Sequence, residues 1–137
     1  AAIAQGLGGV DALINNAGLV IRKSVFDLSN DEWHAMVDTN LTGMFHMTRA
    51  VLPFFRNQGH GRIINISSIS GKVPLEGGSA YAATKFGVTG FSQSLFQELR
   101  GHNIAVTTLY PGSVDSGSHR HDPAADHGWK VQPEEVG

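Results

Sequence analysis

The sequence contains no cysteine, which excludes disulfides, thiol nucleophiles and thiolate metal sites. Charge is scarce too: 16% of residues are charged, and ten Lys and Arg against twelve Asp and Glu leave a net charge of −2. A near-neutral chain without visible charge segregation does not drive binding to a phosphate backbone, so no nucleic-acid partner is expected. No apolar run approaches the roughly 18 residues that cross a bilayer, and the N-terminus lacks the basic start of a signal peptide. These absences set the expectation of a cytoplasmic chain with no membrane partner. What is present is apolar side chain, 41% of 137 residues, together with 17 glycines. That length suits one domain and buries roughly two thirds of the unfolded surface, so a globular fold is expected rather than disorder.

Val10 to Ala17 (VDALINNA) is a short apolar run closed by polar residues and Gly18, the pattern of a buried strand followed by a loop. Ser29-Asn30-Asp31-Glu32 forms an S-x-x-E capping box, and behind it Trp33, Met36, Val37, Leu41, Met44, Phe45, Thr48, Val51 and Leu52 recur at helical spacing. The spacing predicts a helix from about Asp31 to Phe55, bent or broken near Asn40 and Gly43 and ended by Gly59-His60-Gly61. Arg62 to Ser67 (RIINIS) reads as a second buried strand. Phe86, Val88, Phe91, Leu95, Phe96 and Leu99 mark a second long helix over Ala80 to Leu99, with its stop at Gly101. Asn103 to Tyr110 (NIAVTTLY) is a third strand, stopped by Pro111-Gly112. This alternation implies parallel βαβ units of an α/β fold. Two successive right-handed crossovers place both helices on one face of the sheet and leave the other without cover. Residues 113–137 read as loop, with the start of a helix near Pro133.

Tyr81 and Lys85 stand four apart near the start of the second helix, so one face carries both. A nearby ammonium lowers a tyrosine pKa and lets the phenol exchange a proton with a substrate oxygen. An exposed aromatic–cation pair would show the same spacing. Ser68 lies just past the second strand, and in open α/β sheets ligands bind at the carboxyl ends of strands. Asn15, Asn16 and Gly18 occupy that edge after the first strand, as do Pro111 and Gly112 after the third. Taken singly, Asn40 also reads as a bend stabiliser, Ser68 as a loop hydrogen-bonder and Pro111-Gly112 as a turn. His119, His121 and His127, beside Asp122 and Asp126, lack the helical H-x-x-x-H spacing, and no metal site is expected. Trp33 and Trp129 read as packing residues.

Asn15-Asn16-Ala17-Gly18 after a strand, Asn40 in the first helix, Ser68, Tyr81-x-x-x-Lys85 and Tyr110-Pro111-Gly112 together resemble the short-chain dehydrogenase/reductase family. Ser68 precedes Tyr81 by 13 positions, as the family's serine commonly does, and the resemblance covers nearly the whole chain. It implies a Rossmann-like, doubly wound parallel sheet, present here as an incomplete strand-helix-strand-helix-strand core. It also implies an NAD- or NADP-dependent oxidoreductase that interconverts a small-molecule alcohol and carbonyl by hydride transfer. In that pattern Tyr81 is the general acid/base, Lys85 lowers its pKa and holds the nicotinamide ribose, and Ser68 donates to the reacting oxygen. Asn40 anchors a water relay behind Lys85. Asn15, Ala17 and Gly18 line the adenosine side of the cofactor, while Pro111, Gly112, Val114 and Ser116 meet the nicotinamide with Tyr81 and Lys85. Ser116 stands where the family usually has Thr and keeps the hydroxyl. The two long helices of family members commonly build a homodimer or homotetramer interface, which is expected to bury Met44, Phe45, Phe91 and Leu95.

The family's dinucleotide domain begins with a strand and a Gly-rich phosphate-binding turn, followed by a residue that selects between NAD and NADP. Neither occurs in these residues. Gly6-Leu7-Gly8 and Gly59-His60-Gly61 begin a G-x-G-x-x-G match, but Asp11 and Ile64 stand where its last glycine belongs. The sequence therefore reads as the middle of a longer protein. A competing reading is an inactive family fragment serving as an interaction or self-association module, although such a module has no chemical need for Asn40, Ser68, Tyr81 and Lys85. A serine hydrolase is disfavoured because no G-x-S-x-G is present.

Overall fold

In the computed structural model the capping box forms as expected: Ser29 Oγ accepts from the Glu32 amide at 3.2 Å, and Glu32 Oε2 accepts from the Ser29 amide at 2.9 Å. The structure describes Gly6 and residues 8–113. Helix α1 (Asn30–Val37) starts at this box and runs through a π-helical turn (Asp38–Thr42) into α2 (Gly43–Gln58). The break expected near Asn40 and Gly43 is this turn, closed by a bond from the Gly43 amide to the Asp38 carbonyl. A Cβ at Gly43 would lie 3.3 Å from that carbonyl oxygen, so the absent side chain gives the widened turn its room. Helix α2 ends at Gly59, left-handed at φ 77, whose amide donates to the Phe55 carbonyl at 3.0 Å.

Strands β1 (Ala12–Asn15), β2 (Gly61–Ile66) and β3 (Ile104–Leu109) form a parallel sheet in the order β1-β2-β3. Helix α3 (Ser79–Leu99) connects the second strand to the third. Gly101 is not the left-handed stop: α3 continues into a 3-10 turn (Arg100–His102), and Asn103 at φ 55 reverses the chain while its side-chain Nδ2 donates to the Gly59 carbonyl at 3.0 Å. Asn takes the left-handed conformation more readily than other residues with a side chain, and here the bond to Gly59 holds it.

Register puts Leu13, Ile63 and Val106 side by side. With Val51, Phe55, Leu95 and Ile104, Leu13 and Ile63 form the buried core between the sheet and the two helices. Glycine at position 61 is obligatory there, since a Cβ would stand 2.3 Å from the Phe55 ring. Met44 and Leu95, expected to await a partner, are buried within the chain itself, at 6% and 4% exposure. Their helix turns face inward. Phe45 is 42% exposed, and Phe91 packs partly against the core.

The opposite face has the expected lack of cover among the described residues: Ile14 is 60% and Leu109 47% exposed. No helix among these residues is long and apolar enough to cross a membrane. Every buried side-chain nitrogen and oxygen among them has a hydrogen-bond partner.

Candidate active site

Because the three strands are parallel, the chain leaves all of them at one edge, and this edge gathers the loops beginning at Asn16, Ser67 and Tyr110. The second and third loops are stitched together: the Ser67 amide donates to the Leu109 carbonyl at 2.8 Å and the Ile69 amide to the Pro111 carbonyl at 2.9 Å. Lys72 adds a cation–π contact, its Nζ 3.9 Å from the Tyr110 ring centre. Between these bonds sits Ser68. Its Oγ accepts from the Ser70 amide at 3.1 Å, capping a 3-10 turn over Ile69–Gly71. Tyr81, on the first turn of α3, faces the Ser68 hydroxyl closely enough for that hydroxyl to act on its phenol.

Burial pushes the Tyr81 phenol up from its ordinary value, while the Ser68 hydroxyl and the charge of Arg22 pull it down without reversing the shift. The direction is opposite to the one expected from Lys85. That side chain is buried, which lowers its own pKa. Its ammonium donates to the Ile66 carbonyl at 2.9 Å and stands 5.7 Å from the Tyr81 ring centre. Here desolvation of the phenol sets the direction.

Asn40 projects from the π-helical turn and is 3% exposed. Its Oδ1 accepts from the Leu19 amide at 2.7 Å, and its Nδ2 donates to the Leu19 carbonyl at 2.9 Å and to Thr84 Oγ1 at 3.0 Å. It thereby fastens the loop after β1 to both helices. Gly18 lies in this corner, where a Cβ would be 3.6 Å from Asn40 Oδ1 and 3.8 Å from Lys85 Nζ. The edge thus brings together Asn40, Ser68, Tyr81 and Lys85, beside Gly18.

The remaining expected residues divide. Ala17 and Gly112 are exposed at the edge, and Pro111 is half-buried there. Asn15 turns its side chain away from the edge into the sheet–helix layer, donating to Asn65 Oδ1 at 2.8 Å and to Thr48 Oγ1 at 3.3 Å. This leaves only its main chain for a ligand. Val114 and Ser116, the His119, His121 and His127 group, and the helix start near Pro133 lie outside the described residues. Among those described, no group of three metal-ligating side chains occurs. Sequence reasoning missed Thr84, Arg22 and the main chain of Leu19. Thr84 directly precedes Lys85, but one hydroxyl in a helix carries no signal of its distant partner, 44 residues back.

The short chain dehydrogenase family model matches residues 1–126. The chain belongs to that family. It is 37% identical over 115 residues to the 3-oxoacyl-[acyl-carrier-protein] reductase FabG of Vibrio cholerae, an alignment covering 84% of this chain and 47% of the relative. It is 44% identical over 106 residues to the NADP-dependent 3-hydroxy acid dehydrogenase YdfG of Escherichia coli K12, covering 77% of this chain and 43% of the relative. A gluconate 5-dehydrogenase from Burkholderia cenocepacia, solved in complex with NADP and tartrate, superposes with a TM-score of 0.84 at 31% identity, covering 87% of this chain and 47% of that one. The chain spans about half the length of the curated relatives it matches.

Proposed function

We propose that the chain carries the catalytic edge of an NAD- or NADP-dependent oxidoreductase that interconverts an alcohol and a carbonyl, with Tyr81 as general acid/base. The observation that carries this reading is the meeting of a protonated phenol, a serine hydroxyl and a buried ammonium at one sheet edge. Membership of the short chain dehydrogenase family and the NADP named for two similar proteins support it.

The edge fits a dinucleotide. Exposed main chain at Ala17, Gly18 and Gly112 flanks Lys85, whose ammonium gives one of its three donors to Ile66 and keeps two. Ala17, Gly18, Lys85, Pro111 and Gly112 would hold the cofactor, with Val114 and Ser116 on the nicotinamide side. The nicotinamide, when bound, supplies or accepts the hydride. In reduction Tyr81 gives its proton to the carbonyl oxygen, and its raised pKa keeps it in the required acid form at neutral pH. Ser68 donates to that oxygen as negative charge develops there. Lys85 sets a positive charge beside the phenolate left behind. Asn40 has committed both amide protons, so a water relay behind Lys85 would rest on its remaining acceptor positions.

The outward helix surface supports self-association. Phe45, Met47, Phe86 and Phe96 are all exposed, and a second copy covering them would form the homodimer or homotetramer expected of these helices. Light scattering after size exclusion reads this directly.

The functional test is titration with NADH and NADPH, read by nicotinamide fluorescence, followed by turnover of a 3-oxoacyl thioester, a probe chosen from the substrates named for the relatives. Saturable binding is expected, with Tyr81→Phe keeping it and losing turnover. A folded chain that binds neither nucleotide would refute the reading.

A further inference from the structure

Helix α3 begins at Gly78, which offers no side-chain cap. The turn that carries Tyr81 therefore lacks the usual device that fixes a helix start. Thr84, 2% exposed, supplies a different one. Its Oγ1 donates to the Tyr81 carbonyl at 2.8 Å and accepts from Asn40 Nδ2 at 3.0 Å. The hydroxyl proton is spent on Tyr81, so toward Asn40 the oxygen acts as acceptor. Asn40 is pinned in turn, because Leu19 takes one amide proton and satisfies Oδ1. One buried hydroxyl thus joins the π-helical turn, the loop after β1 and the main chain of the acid/base residue.

We propose that Thr84 is a positioning residue: its hydroxyl latches the Asn40 turn to the Tyr81 main chain and sets where the phenol stands relative to Ser68. The proposal rests on the reading of Tyr81 as the proton-transfer group. A valine at this position keeps the shape of threonine and cannot make either bond. It leaves the second Asn40 amide proton buried without a partner, and the first turn of α3 relaxes away from the π-helical turn. A misplacement of about 1 Å at a reacting group costs up to about a hundredfold in rate.

The test uses two readouts on the wild type, Thr84→Val and Thr84→Ser. Tyrosine is labelled at 13Cζ and titrated by NMR; the chain has two tyrosines, and Tyr81→Phe assigns the signals. Thr84→Val is expected to raise the Tyr81 titration midpoint, because the phenol shifts away from the Ser68 hydroxyl that pulls it down, and Thr84→Ser to restore it. Turnover of the 3-oxoacyl thioester is expected to show kcat lowered about tenfold or more in Thr84→Val with KM little changed, and again restored by Ser. If Thr84→Val loses stability alone, with the Tyr81 midpoint and kcat unmoved, the latch is refuted. Should the valine variant not fold, Thr84→Ala also removes both bonds without crowding the site, and a wild-type Tyr81 midpoint there overturns the proposal. A wild type that transfers no hydride refutes the oxidoreductase reading instead, and the NMR titration still decides the latch.

Discussion

Lys85 donates its ammonium to the main-chain carbonyl of Ile66 at 2.9 Å. Ile66 is the last residue of β2, immediately before Ser67 and Ser68, so the bond holds the helix that carries the phenol against the strand end that carries the serine. Ser67 reinforces it in the reverse direction, its hydroxyl donating to the Lys85 carbonyl at 3.1 Å. Lys85 is therefore a structural clamp as well as a charge at the site, and its charge is held in a poor solvent.

That burial makes stability depend on pH in a definite direction. Burial lowers the Lys85 pKa below its ordinary value of 10.5, so in the window up to 10.5 the folded chain binds fewer protons there than the unfolded chain. Stability contributed at this position rises with pH through that window and is lost as pH falls below it. Tyr81 has the opposite sign, but its loss begins only near and above 10.0. Urea midpoints of wild type and Lys85→Met at about pH 8 and about pH 10 isolate the effect. The wild type should gain on the variant at the higher pH, and a constant difference would show that Lys85 titrates normally.

Gly71 is the point where the turn capped by Ser68 touches α3. A Cβ there would sit 2.5 Å from Ser67 Oγ, 2.7 Å from the Lys85 carbonyl oxygen and 3.0 Å from Thr89 Oγ1. The carbonyl belongs to a helix backbone and cannot swing aside. Gly71→Ala should cost about 1–3 kcal/mol, the range for overpacking a tight site, and displace Ser68 enough to slow turnover. Urea denaturation checks the first effect, and an unchanged midpoint would mean that the turn relaxes freely.

Asn65 is fully buried between sheet and helices, accepting from Asn15 Nδ2 and donating to Ser92 Oγ at 2.8 Å. Asn65→Leu removes the main acceptor of the Asn15 amide and should destabilise by about 1–3 kcal/mol. Adding Asn15→Leu replaces both partners with apolar groups, so the double variant should lose less than the sum of the two single losses. Additive losses would show that the two amides do not act as a pair.

The strand and helix order followed from hydrophobic period and punctuation alone, because each element buries one continuous face. Three residues of the candidate site were likewise visible, since strand ends and an i, i+4 pair place Ser68, Tyr81 and Lys85 in known relation, whereas Asn40 joined them only through the family resemblance. The direction of the Tyr81 shift was not, because desolvation depends on what packs over the ring rather than on the sequence neighbour four residues on. Asn15 and Thr84 were misread or missed for a related reason. Their partners, Asn65 and Asn40, are 50 and 44 residues away, and a short polar side chain gives no local sign of which way it turns. Asn103 displaced Gly101 as the reversal point because the helix first tightens into a 3-10 turn, a change of two residues that glycine punctuation does not encode.

Ser68 performs two tasks with one hydroxyl, and they can be separated. As acceptor it caps the turn over Ile69–Gly71 through the Ser70 amide at 3.1 Å; as donor, in the proposed reaction, it serves Tyr81 and the developing oxyanion. Loss of a capping oxygen costs about 1 kcal/mol, whereas loss of an oxyanion donor lowers kcat by about a hundred- to a thousandfold. Ser68→Ala should therefore lower the urea midpoint modestly, raise the Tyr81 titration midpoint and nearly abolish turnover, while nucleotide binding persists. Ser68→Asp separates the tasks further: its carboxylate can still accept the Ser70 amide, but when ionised it has no proton to give. Turnover lost in both variants with stability retained in Ser68→Asp would mark the donor as the essential part. Near-normal turnover in either variant would reduce Ser68 to a turn cap and leave Tyr81 without its proposed hydrogen-bonding partner in catalysis.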